Sequence, residues 1–600
     1  MQKFRTVLEL VSRYRLAFIL GPIFVLLTNA FRVVNPEIVE FVFDYLAGNE
    51  KTTWIGRFLI GTTDRLGLDA FGRAVLTVAA TSIFGFAVIQ GVFQFLMRYT
   101  VIGASRRVEF DLRQKLFDHL QTLPPSTFER MRIGDVMTRA TSDLESVRMV
   151  TGPAVMYMVN TLTVLPLCLA MMFLKSKALA FLAMIPLALL ALSIRLIMPR
   201  MYRDSKDVQE RMSRISNHVQ ENFAGVRVVQ AFHREEHELE RFDGLNEAYL
   251  DSSLRLAWSR GWVNGVINAF SGLGILLVLW VGGGYVLRDQ MTLGQFVAFN
   301  QYQIMLTWPM IAMGWVLSLL QRGAASMERI DAILSIEPSI RDEEPDPSRE
   351  AIDGTIEFRG LSFAYEDGPP VLRDLNLSIP AGSTIAIVGR TGSGKSTLAA
   401  LIPRLLEVPR HRLFVDGEDI HRLPLGVLRR SIAVVPQDTF LFSDTIAANI
   451  AFAAPEATEE AILEAARAAG LEETIEALPD GYSQMIGERG VSLSGGQKQR
   501  MAIARALLAN PRILILDDCL SAVDTETEER ILKRIQPKLR ERTCVVISHR
   551  VSTIRNADRI YVLDEGSVIE EGTHEELVAA GGSYAEMDRR QRLERELEDL

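Results

Sequence analysis

Six apolar runs, each about twenty residues long, lie before residue 325. A run of this length matches the bilayer, because an α-helix of about 20 residues spans its hydrocarbon core. Every backbone polar group in lipid must be paired within the protein, so such runs cross the membrane as helices. The sequence predicts six transmembrane helices, at about Leu16–Pro36 (with Leu46 as an alternative end), Ala74–Leu96, Ala154–Leu174, Ala178–Met198, Val263–Leu287 and Gln295–Leu319.

The composition of the chain fits two environments at once. Its 600 residues exceed one compact domain, so at least two domains are expected. Hydrophobic residues make up 48%, which fits a chain that is half membrane-embedded and half cytosolic. The net charge of −9 gives no indication of nucleic-acid binding. The three cysteines, Cys168, Cys519 and Cys544, lie far apart without a CxxC pair. They support neither a disulfide scaffold nor a zinc site.

The N-terminus begins like a signal peptide, with Lys3, Arg5, Arg13 and Arg15 before the first apolar run. The run, however, extends past Val34, and no small-residue cleavage site follows it. These features predict an uncleaved first membrane helix.

Two long polar segments separate the apolar runs. They cover residues 97–153 and 199–262 and have the pattern of amphipathic helices with few helix-breaking residues. Short interruptions lie at their far ends, at Pro124–Phe128 and Ala224–Arg227. Both segments and the N-terminus are rich in lysine and arginine, so the positive-inside rule places them in the cytosol. We expect two helical extensions that project well beyond the bilayer.

The second half of the chain has a different character. A charged, proline-containing stretch at Glu343–Glu350 indicates a linker. Beyond it, continuous apolar runs alternate with helical stretches, which is typical of buried parallel strands in an α/β domain. The predicted organisation is an all-α six-helix transmembrane domain over residues 1–326, a linker over 327–353, an α/β domain over 354–590 and a charged tail over 591–600.

A glycine-rich motif lies early in the α/β half. Residues 389–396 read GRTGSGKS, which fits GxxxxGK[ST], and they follow an apolar strand and open a helical stretch. The glycines let backbone N–H groups surround phosphate oxygens at a helix N-terminus. Lys395 is predicted to reach the β- and γ-phosphates of ATP, and Ser396 to ligate Mg²⁺. The predicted ATP-binding residues here are Gly389, Arg390, Thr391, Gly392, Ser393, Gly394, Lys395, Ser396 and Thr397.

A second motif pairs two carboxylates at the end of a strand. The apolar run Ile513–Leu516 leads directly into Asp517 and Asp518. Ligands bind at the carboxyl ends of strands in α/β sheets. Asp517 is predicted to hold Mg²⁺ directly or through water, and Asp518 lies where a general base orients the attacking water.

Between these two motifs lies the pentapeptide Leu493-Ser494-Gly495-Gly496-Gln497. It resembles the LSGGQ signature that distinguishes ATP-binding cassette (ABC) proteins from other P-loop ATPases. The resemblance implies that Tyr365 stacks on adenine, that Gln437 senses Mg²⁺ and contacts the membrane domain, and that His549 touches the γ-phosphate. It also implies a D-loop at Ser521–Asp524, with Ser521 and Asp524 as its functional residues, and an exporter element at Gly487–Gly490.

The resemblance extends to the transmembrane half. Six helices with two long cytosolic extensions look like the membrane domain of ABC exporters of the type IV fold. In that family the two interruptions are coupling helices, here expected at Pro125–Met131, which includes Phe128, and at Ala224–Val228, which includes Gly225 and Arg227. The family also implies a dimer, in which ATP lies between the P-loop of one chain and the LSGGQ of the other.

One residue departs from the family pattern. Most active cassettes have glutamate after the strand aspartate, and this chain has Asp518. The missing methylene withdraws the carboxylate by roughly 1.5 Å, and a displacement of that size can lower a rate on the order of 100-fold. With His549 and LSGGQ intact, the combination resembles the degenerate-site subunit of heterodimeric multidrug exporters. A heterodimer is therefore favoured, with a homodimer that tolerates aspartate as the alternative.

The transported substrate is less well specified, because fold does not determine it. Four aromatic residues in or near the apolar runs have three alternative locations, namely a substrate cavity, the interfacial belt or the packing core. They are Trp280, Phe299, Trp308 and Trp315. A broad-specificity exporter of hydrophobic or amphipathic compounds, such as drugs or lipids, is expected. Polar side chains within the apolar runs either face a cavity or form hydrogen bonds between helices; they are Asn29, Arg32, Gln90, Gln94, Asn160, Asn264, Asn268 and Gln301.

Other function classes fit the sequence less well. Asp518 gives some weight to an ATP-gated channel or a regulatory subunit. An importer or a soluble cassette ATPase is disfavoured by the fused membrane half, and leader-cleaving peptide secretion by the lack of a peptidase segment before the first run. Cytosolic ATP and the positive-inside loops favour a prokaryotic plasma membrane, with a eukaryotic organelle left open. The expected partners are a second half-transporter chain, the bilayer and a small-molecule or lipid substrate, without nucleic acid.

Overall fold

The computed structural model describes residues 5–49, 54–65, 73–365, 368–487, 493–521, 523 and 525–598. It separates into two compact units. The first comprises Met1–Gln121 and Ile133–Ile336, and the second comprises Thr122–Arg132 and Glu337–Leu600.

Within its described residues, the first unit consists of helices joined by short turns and contains no β-strand. Within that part of the chain, six helical segments are long and apolar enough to cross a membrane, at Arg15–Leu46, Ala74–Thr122, Ile133–Lys175, Lys177–Ala224, Glu235–Leu287 and Leu293–Leu334. The helices up to residue 334 are α1 Arg5–Arg13, α2 Arg15–Leu46, α3 Trp54–Arg65, α4 Arg73–Thr122, α5 Pro125–Arg130, α6 Ile133–Thr138, α7 Leu144–Met149, α8 Val155–Lys175, α9 Lys177–Ala224, α10 Val226–Ala231, α11 Glu235–Leu277, α12 Gly283–Leu287 and α13 Leu293–Leu334. Helix α5 and the last residue of α4 belong to the second unit.

The helices extend beyond the apolar runs that predict them. The third run predicts a helix from Ala154, but helical structure already begins at Ile133 and continues through π-helical turns at Arg139–Asp143 and Val150–Ala154. Pro153 lies in the second of these turns. A wider turn accommodates the missing N–H of proline without ending the helix.

Tight links join the later helices. Ser176 adopts an extended conformation between α8 and α9, and its side chain accepts a hydrogen bond from the backbone N–H of Leu179. α13 begins with a capping box in which Thr292 and Gln295 satisfy each other's backbone N–H groups. α2, α8, α9 and α13 then share an apolar core that includes Cys168, Phe299 and Tyr302, all with 0% exposure.

A buried polar cluster, defined here as Glu37, Glu40, Lys175 and Tyr302, lies beside this core. The Lys175 ammonium is 2.8 Å from Glu37 Oε1 and also pairs with Glu40, while the Tyr302 hydroxyl donates to Glu37 Oε1 at 2.9 Å. Both carboxylates are at most 2% exposed. One ammonium therefore faces two buried carboxylates, which makes it the main compensation for their charge.

The second unit contains two sheets within its described residues. The four-stranded antiparallel sheet has the order β2-β1-β4-β5, and the six-stranded sheet has the order β10-β9-β3-β8-β7-β6. The strands are β1 Ile356–Ala364, β2 Pro370–Ile379, β3 Thr384–Gly389, β4 Leu413–Val415, β5 Glu418–Asp419, β6 Ile432–Val435, β7 Ile513–Asp517, β8 Thr543–Ile547, β9 Arg559–Asp564 and β10 Ser567–Gly572.

Helices cover both faces of the larger sheet. Along β7, Ile513 and Ile515 belong to one apolar cluster, and Leu514 and Leu516 to the other. Strands buried on both faces have continuous apolar sequences for this reason. The helices are α14 Lys395–Leu401, α15 Leu425–Ser431, α16 Ile446–Ala451, α17 Glu459–Ala468, α18 Glu472–Glu476, α19 Gly495–Leu508, α20 Thr525–Leu539, α21 Val551–Ile554, α22 His574–Ala580 and α23 Ser583–Glu598.

The parallel part of the sheet sets up the candidate site. β3 pairs in parallel with β8 and β9, and β7 pairs in parallel with β6 and β8. The carboxyl ends of β3, β6, β7 and β8 therefore meet at one edge. Ligands bind at this edge in open α/β sheets.

Candidate ATP-binding site

The loop between β3 and α14 is shaped by glycines. Gly394, immediately before α14, has φ +98°, and a Cβ there would lie 2.6 Å from a Leu372 methyl carbon. Only glycine adopts this conformation without strain and also leaves the required space. The chain can therefore turn sharply from β3 into the N-terminus of α14, where backbone N–H groups are free for phosphate oxygens.

The Lys395 side chain is held inside this loop. Its Nζ donates to the carbonyl oxygens of Gly389 at 2.9 Å and Arg390 at 2.7 Å, and it lies 3.3 Å from Ser393 Oγ. The residue is 5% exposed. Burial lowers the pKa of Lys395, and the carboxylates of Asp517 and Asp518 oppose this shift. The ammonium is thus placed in advance at the loop that binds phosphates in P-loop proteins.

A cleft of about 260 Å³ gathers the predicted residues from several elements. Gln437 follows β6, Asp517 and Asp518 lie at the end of β7, and His549 follows β8. The loop after β3 and the start of α14 contribute Thr391, Gly392, Gly394, Lys395, Ser396 and Thr397. Val371 of β2 and Ile547 of β8 also line the cleft, and neither belongs to the residues that the motifs predict. No motif marks these two apolar positions, so only the fold reveals them.

The two aspartates differ in their surroundings. Asp517 is 7% exposed, and burial raises its pKa, with a further rise from Asp518 and an opposing hydrogen bond from Ser396. Asp518 has φ +46°, its backbone N–H donates to Ile547 O at 2.8 Å, and Gln437 Nε2 donates to its Oδ2 at 3.3 Å. Ser396 and Asp517 offer hard oxygen donors side by side, which is the donor chemistry that Mg²⁺ prefers.

Tyr365 lies just after β1 and is 44% exposed. Its hydroxyl group is 3.0 Å from Thr397 Oγ1, and its ring meets Phe363 edge to face at 5.2 Å between centroids. The side chain therefore lies beside the start of α14 and keeps part of its surface exposed. It does not belong to the set of residues that line the cleft.

The predicted signature forms the N-terminus of α19. Ser494 is the N-cap, and its side chain and that of Gln497 satisfy each other's backbone N–H groups. None of the five residues Leu493–Gln497 lines the cleft of its own chain. Gln499, one turn further along, donates to Ser521 Oγ at 3.1 Å and so joins α19 to the predicted D-loop. Asp524 and residues 488–490 of the predicted exporter element lie outside the described residues.

The segment around His549 is fixed by residues outside the predicted site. The Gln591 amide of α23 donates to the His549 carbonyl oxygen at 2.5 Å, and its Oε1 accepts from the Val551 N–H at 2.8 Å. Arg550 forms an ion pair with the buried Glu528 of α20. Gln591 belongs to the predicted charged tail, where no local pattern indicates that a side chain supports a cleft residue.

The two predicted coupling segments are short helices. α5 begins at Pro125, which occupies the first helical position, and its Phe128 is 37% exposed. α10 follows Gly225, where the backbone of α9 ends. α5 belongs to the second compact unit, together with the α/β fold.

Comparisons with known proteins agree with this architecture. Residues 18–310 match the ABC transporter transmembrane region family, and residues 372–521 match the ABC transporter family. The chain therefore belongs to the ABC transporters, as an exporter with six apolar helices followed by a nucleotide-binding domain. It is a multi-pass integral membrane protein that uses ATP, and its half-transporter organisation implies a dimer.

Individual relatives cover most of the chain. It is 37% identical over 505 residues to the probable multidrug resistance ABC transporter ATP-binding/permease protein YheI of Bacillus subtilis, which is 84% of this chain and 86% of that protein. It is 38% identical over 480 residues to an ATP-dependent lipid A-core flippase of Syntrophus aciditrophicus, 80% of both proteins. A solved bacterial Atm1-family ABC exporter with ATP bound superposes with a TM-score of 0.75 at 27% identity, covering 98% of this chain and 99% of that one.

Proposed function

We propose that this chain is one subunit of a heterodimeric exporter that drives hydrophobic or amphipathic compounds out of a prokaryotic cytosol across the plasma membrane, and that its own ATP site hydrolyses slowly. The observation that carries the proposal is Asp518, at the position where a full-length glutamate is expected. The relatives named as multidrug transporters and lipid A-core flippases support the class of substrate.

The loop residues bind and orient the nucleotide in this proposal. Lys395 transfers its hydrogen bonds from the carbonyls of Gly389 and Arg390 to the β- and γ-phosphates, because anionic oxygens are the stronger acceptors. Tyr365 stacks on adenine. Ser396 and Asp517 would hold Mg²⁺ with Gln437 beside them, and the ion would supply positive charge to neutralise the phosphate oxygens.

Asp518 and His549 act on the γ-phosphate side of the cleft. Asp518 accepts a hydrogen bond from Gln437, so its short carboxylate is held toward that amide. A water in line with the γ-phosphate is then out of reach of a good hydrogen bond, whose length is about 2.7 Å. ATP remains bound and turns over slowly, while His549 still contacts the γ-phosphate.

Completion of each site requires a second chain. The signature residues Leu493–Gln497 do not line the cleft of their own chain, so they are available to the P-loop of a partner. The Ser494 hydroxyl and the N-terminus of α19 provide donors suited to a γ-phosphate. In the heterodimer this intact signature completes the competent site on the partner.

Transport follows from closure of the two cassettes on ATP. Closure moves the coupling helices α5 and α10, and the transmembrane helices then open outward. Binding of ATP shifts the population toward the closed form, and hydrolysis at the competent site releases it. The nucleotide-binding domain, proposed to begin near residue 354, lies in the cytosol.

Asp518→Glu is expected to raise ATP turnover about 100-fold in the chain purified alone in nanodiscs, because the added methylene restores the reach of the base. Asp518→Asn, which removes the base without changing the side-chain length, serves as the control and stays at the unmodified level. The measurement is the rate of Mg-ATP hydrolysis. Cross-linking verifies that the chains form dimers in which the signature of one chain faces the P-loop of the other. Unmodified turnover near or above about 1 s⁻¹ would contradict a weak site, because well-formed enzyme sites reach that rate.

A homodimeric exporter is the second candidate. The intact P-loop, signature and His549 within one chain favour it, because two copies supply every part except the longer carboxylate. Fast hydrolysis by the unmodified chain would establish this alternative. ATP binding without substrate movement against a gradient in liposomes, with the partner present, would instead favour an ATP-gated channel or a regulatory subunit.

Ser494→Ala separates the capping role of the signature from its role in the partner site. Loss of an N-cap hydroxyl is expected to lower the stability of the domain by about 1 kcal/mol. Thr458→Ala removes the equivalent cap of α17 and serves as the matched control. Both variants are expected to unfold at similarly reduced temperatures, whereas only Ser494→Ala lowers the ATP turnover of the assembled dimer. Equal turnover of the two variants would contradict a role in trans.

A further inference from the structure

Two adjoining cavities lie within the transmembrane unit. The deeper one has a volume of about 280 Å³ and lies between α2, α4, α8 and α13. The wider one has a volume of about 920 Å³. Arg98, Met156 and Tyr157 line both, so the two cavities are continuous.

The deeper cavity is polar although it lies among apolar helices. Its lining includes Arg32, Gln90, Gln94, Arg98 and Asn160. Four of these belong to the polar residues within the apolar runs whose role the sequence could not decide. The side-chain amides of Gln90, Gln94 and Asn160 form no hydrogen bond with any part of the chain that the structure describes. They are free to contact a ligand.

The arginines in the two linings have no acidic counterpart. Arg32, Arg98 and Arg107 line the cavities, and no aspartate or glutamate does. Within the described residues none of the three guanidinium groups forms an ion pair. Arg32 lies within the first apolar run, close to its predicted end at Pro36. A charged side chain within such a run faces a cavity or a partner charge.

The wider cavity supplies apolar surface next to these charges. Phe95 and Tyr99 are 65% and 70% exposed, and their rings stack with centroids 6.1 Å apart. Tyr157 and Trp315 meet edge to face at 5.2 Å. Aromatic surfaces of this kind can bind apolar groups of different shapes. The guanidinium groups favour a carboxylate, sulfate or phosphate group in the same ligand.

We propose that the joined cavities bind an anionic amphiphile as the exporter's cargo, with its acidic group at Arg32 and Arg98 and its apolar body on the aromatic side chains around Trp315. The proposal rests on the proposed export function only for the statement that the bound compound is cargo. Binding itself requires neither ATP nor a competent hydrolytic site.

The test uses three fluorescent probes that differ only in their terminal group. Dansylaminoundecanoic acid is the anion, dansylaminoundecanol the neutral compound and dansylaminoundecylamine the cation. Binding to the full-length chain is measured without ATP in phosphatidylcholine nanodiscs, which contain no anionic lipid to compete. The acid is expected to bind at least about tenfold more tightly than the alcohol, because charge-assisted hydrogen bonds are the stronger ones. The amine is expected to bind most weakly.

Variants then assign the preference to the arginines. Arg32→Gln and Arg98→Gln are each expected to weaken binding of the acid about tenfold and to leave the alcohol unchanged. Arg32→Lys keeps the charge and is expected to retain most of the preference. Arg57→Gln removes a cation from α3, outside both linings, and is the matched control. The comparison of probes on the unmodified chain needs no variant and stands if a variant fails to fold.

The outcomes separate this proposal from the export function. Equal binding of acid, alcohol and amine, or an acid affinity unchanged in Arg32→Gln and Arg98→Gln, would overturn the anionic preference while leaving export intact. Preferential binding of the acid, with no ATP-driven movement of the probe across liposomes by the dimer formed with the partner chain, would retain the site and contradict export.

Discussion

Lys395→Met is expected to weaken ATP binding by this chain about 100-fold. The Lys395 ammonium is the buried cation that the P-loop holds ready, at 2.9 Å from Gly389 O and 2.7 Å from Arg390 O. Hydrogen bonds from a charged donor contribute about 1.5–3 kcal/mol, and 3 kcal/mol corresponds to more than 100-fold in affinity. The effect appears in binding and not only in turnover, so it can be measured even if Asp518 makes the site slow. The readout is equilibrium binding of fluorescent ATP in nanodiscs.

Arg390→Met is the matched control for this experiment. Arg390 belongs to the predicted ATP-binding loop through its backbone, because its side chain is exposed and does not line the cleft. The substitution therefore removes a cation from the same loop without altering a group that faces the nucleotide. Affinity for ATP is expected to change less than about threefold, as for exposed charges in general. Similar losses in the two variants would mean that overall positive charge, and not the position of the Lys395 ammonium, governs binding.

Local motifs predict the cleft well because each one combines a backbone shape with its chemistry. The glycines before Lys395 specify a turn, and the apolar strand before Asp517 specifies the sheet edge where the aspartate lies. The fold brings Lys395 and Asp517 together in the cleft. Val371, Ile547 and Gln591 carry no such pattern. Their positions follow from strand order and from the packing of α23, which depend on contacts between residues far apart in sequence.

The apolar runs predict where helices cross lipid, but not where they end. Hydropathy marks the bilayer, while the backbone continues as helix into polar sequence wherever hydrogen bonding allows. α13 therefore continues to Leu334, into the stretch assigned to a linker, and helical structure before α8 passes through Pro153 in a π-helical turn. The proline suggests a boundary, but the wider turn relieves its steric and hydrogen-bonding constraints.

The polar residues within the runs show a different limit of sequence reasoning. Arg32 and Asn160 line a common cavity, whereas Asn264 and Gln301 do not line it. Helical periodicity places a side chain on one face of its own helix, but it does not say which other helix that face meets. Among the aromatic candidates, Phe299 lies in the packing core with 0% exposure and Trp315 lines the wider cavity.

Lys175→Met is expected to destabilise the transmembrane unit by roughly 3–5 kcal/mol, the usual consequence of leaving a buried charge without its partner. Glu37 is 2% exposed and Glu40 is 1% exposed, and the Lys175 ammonium contacts both. Methionine retains the length and the apolar stem of lysine, so packing is largely preserved. Thermal unfolding of the purified protein in detergent is the measurement, followed through the loss of monodisperse protein.

The two lysines that flank Ser176 allow a close comparison, because Lys177 is exposed and Lys175 is nearly buried. Lys177→Met is expected to change stability by less than about 0.5 kcal/mol, as exposed substitutions usually do. Adding Glu40→Gln to Lys175→Met is expected to recover part of the loss, since it removes one of the two carboxylates that the ammonium served. Recovery requires that the loss arises from unpaired charge, because a packing defect at Lys175 would persist in the double variant. Equal unfolding temperatures for Lys175→Met and Lys177→Met would show instead that Tyr302 and the surrounding dipoles suffice to hold both carboxylates.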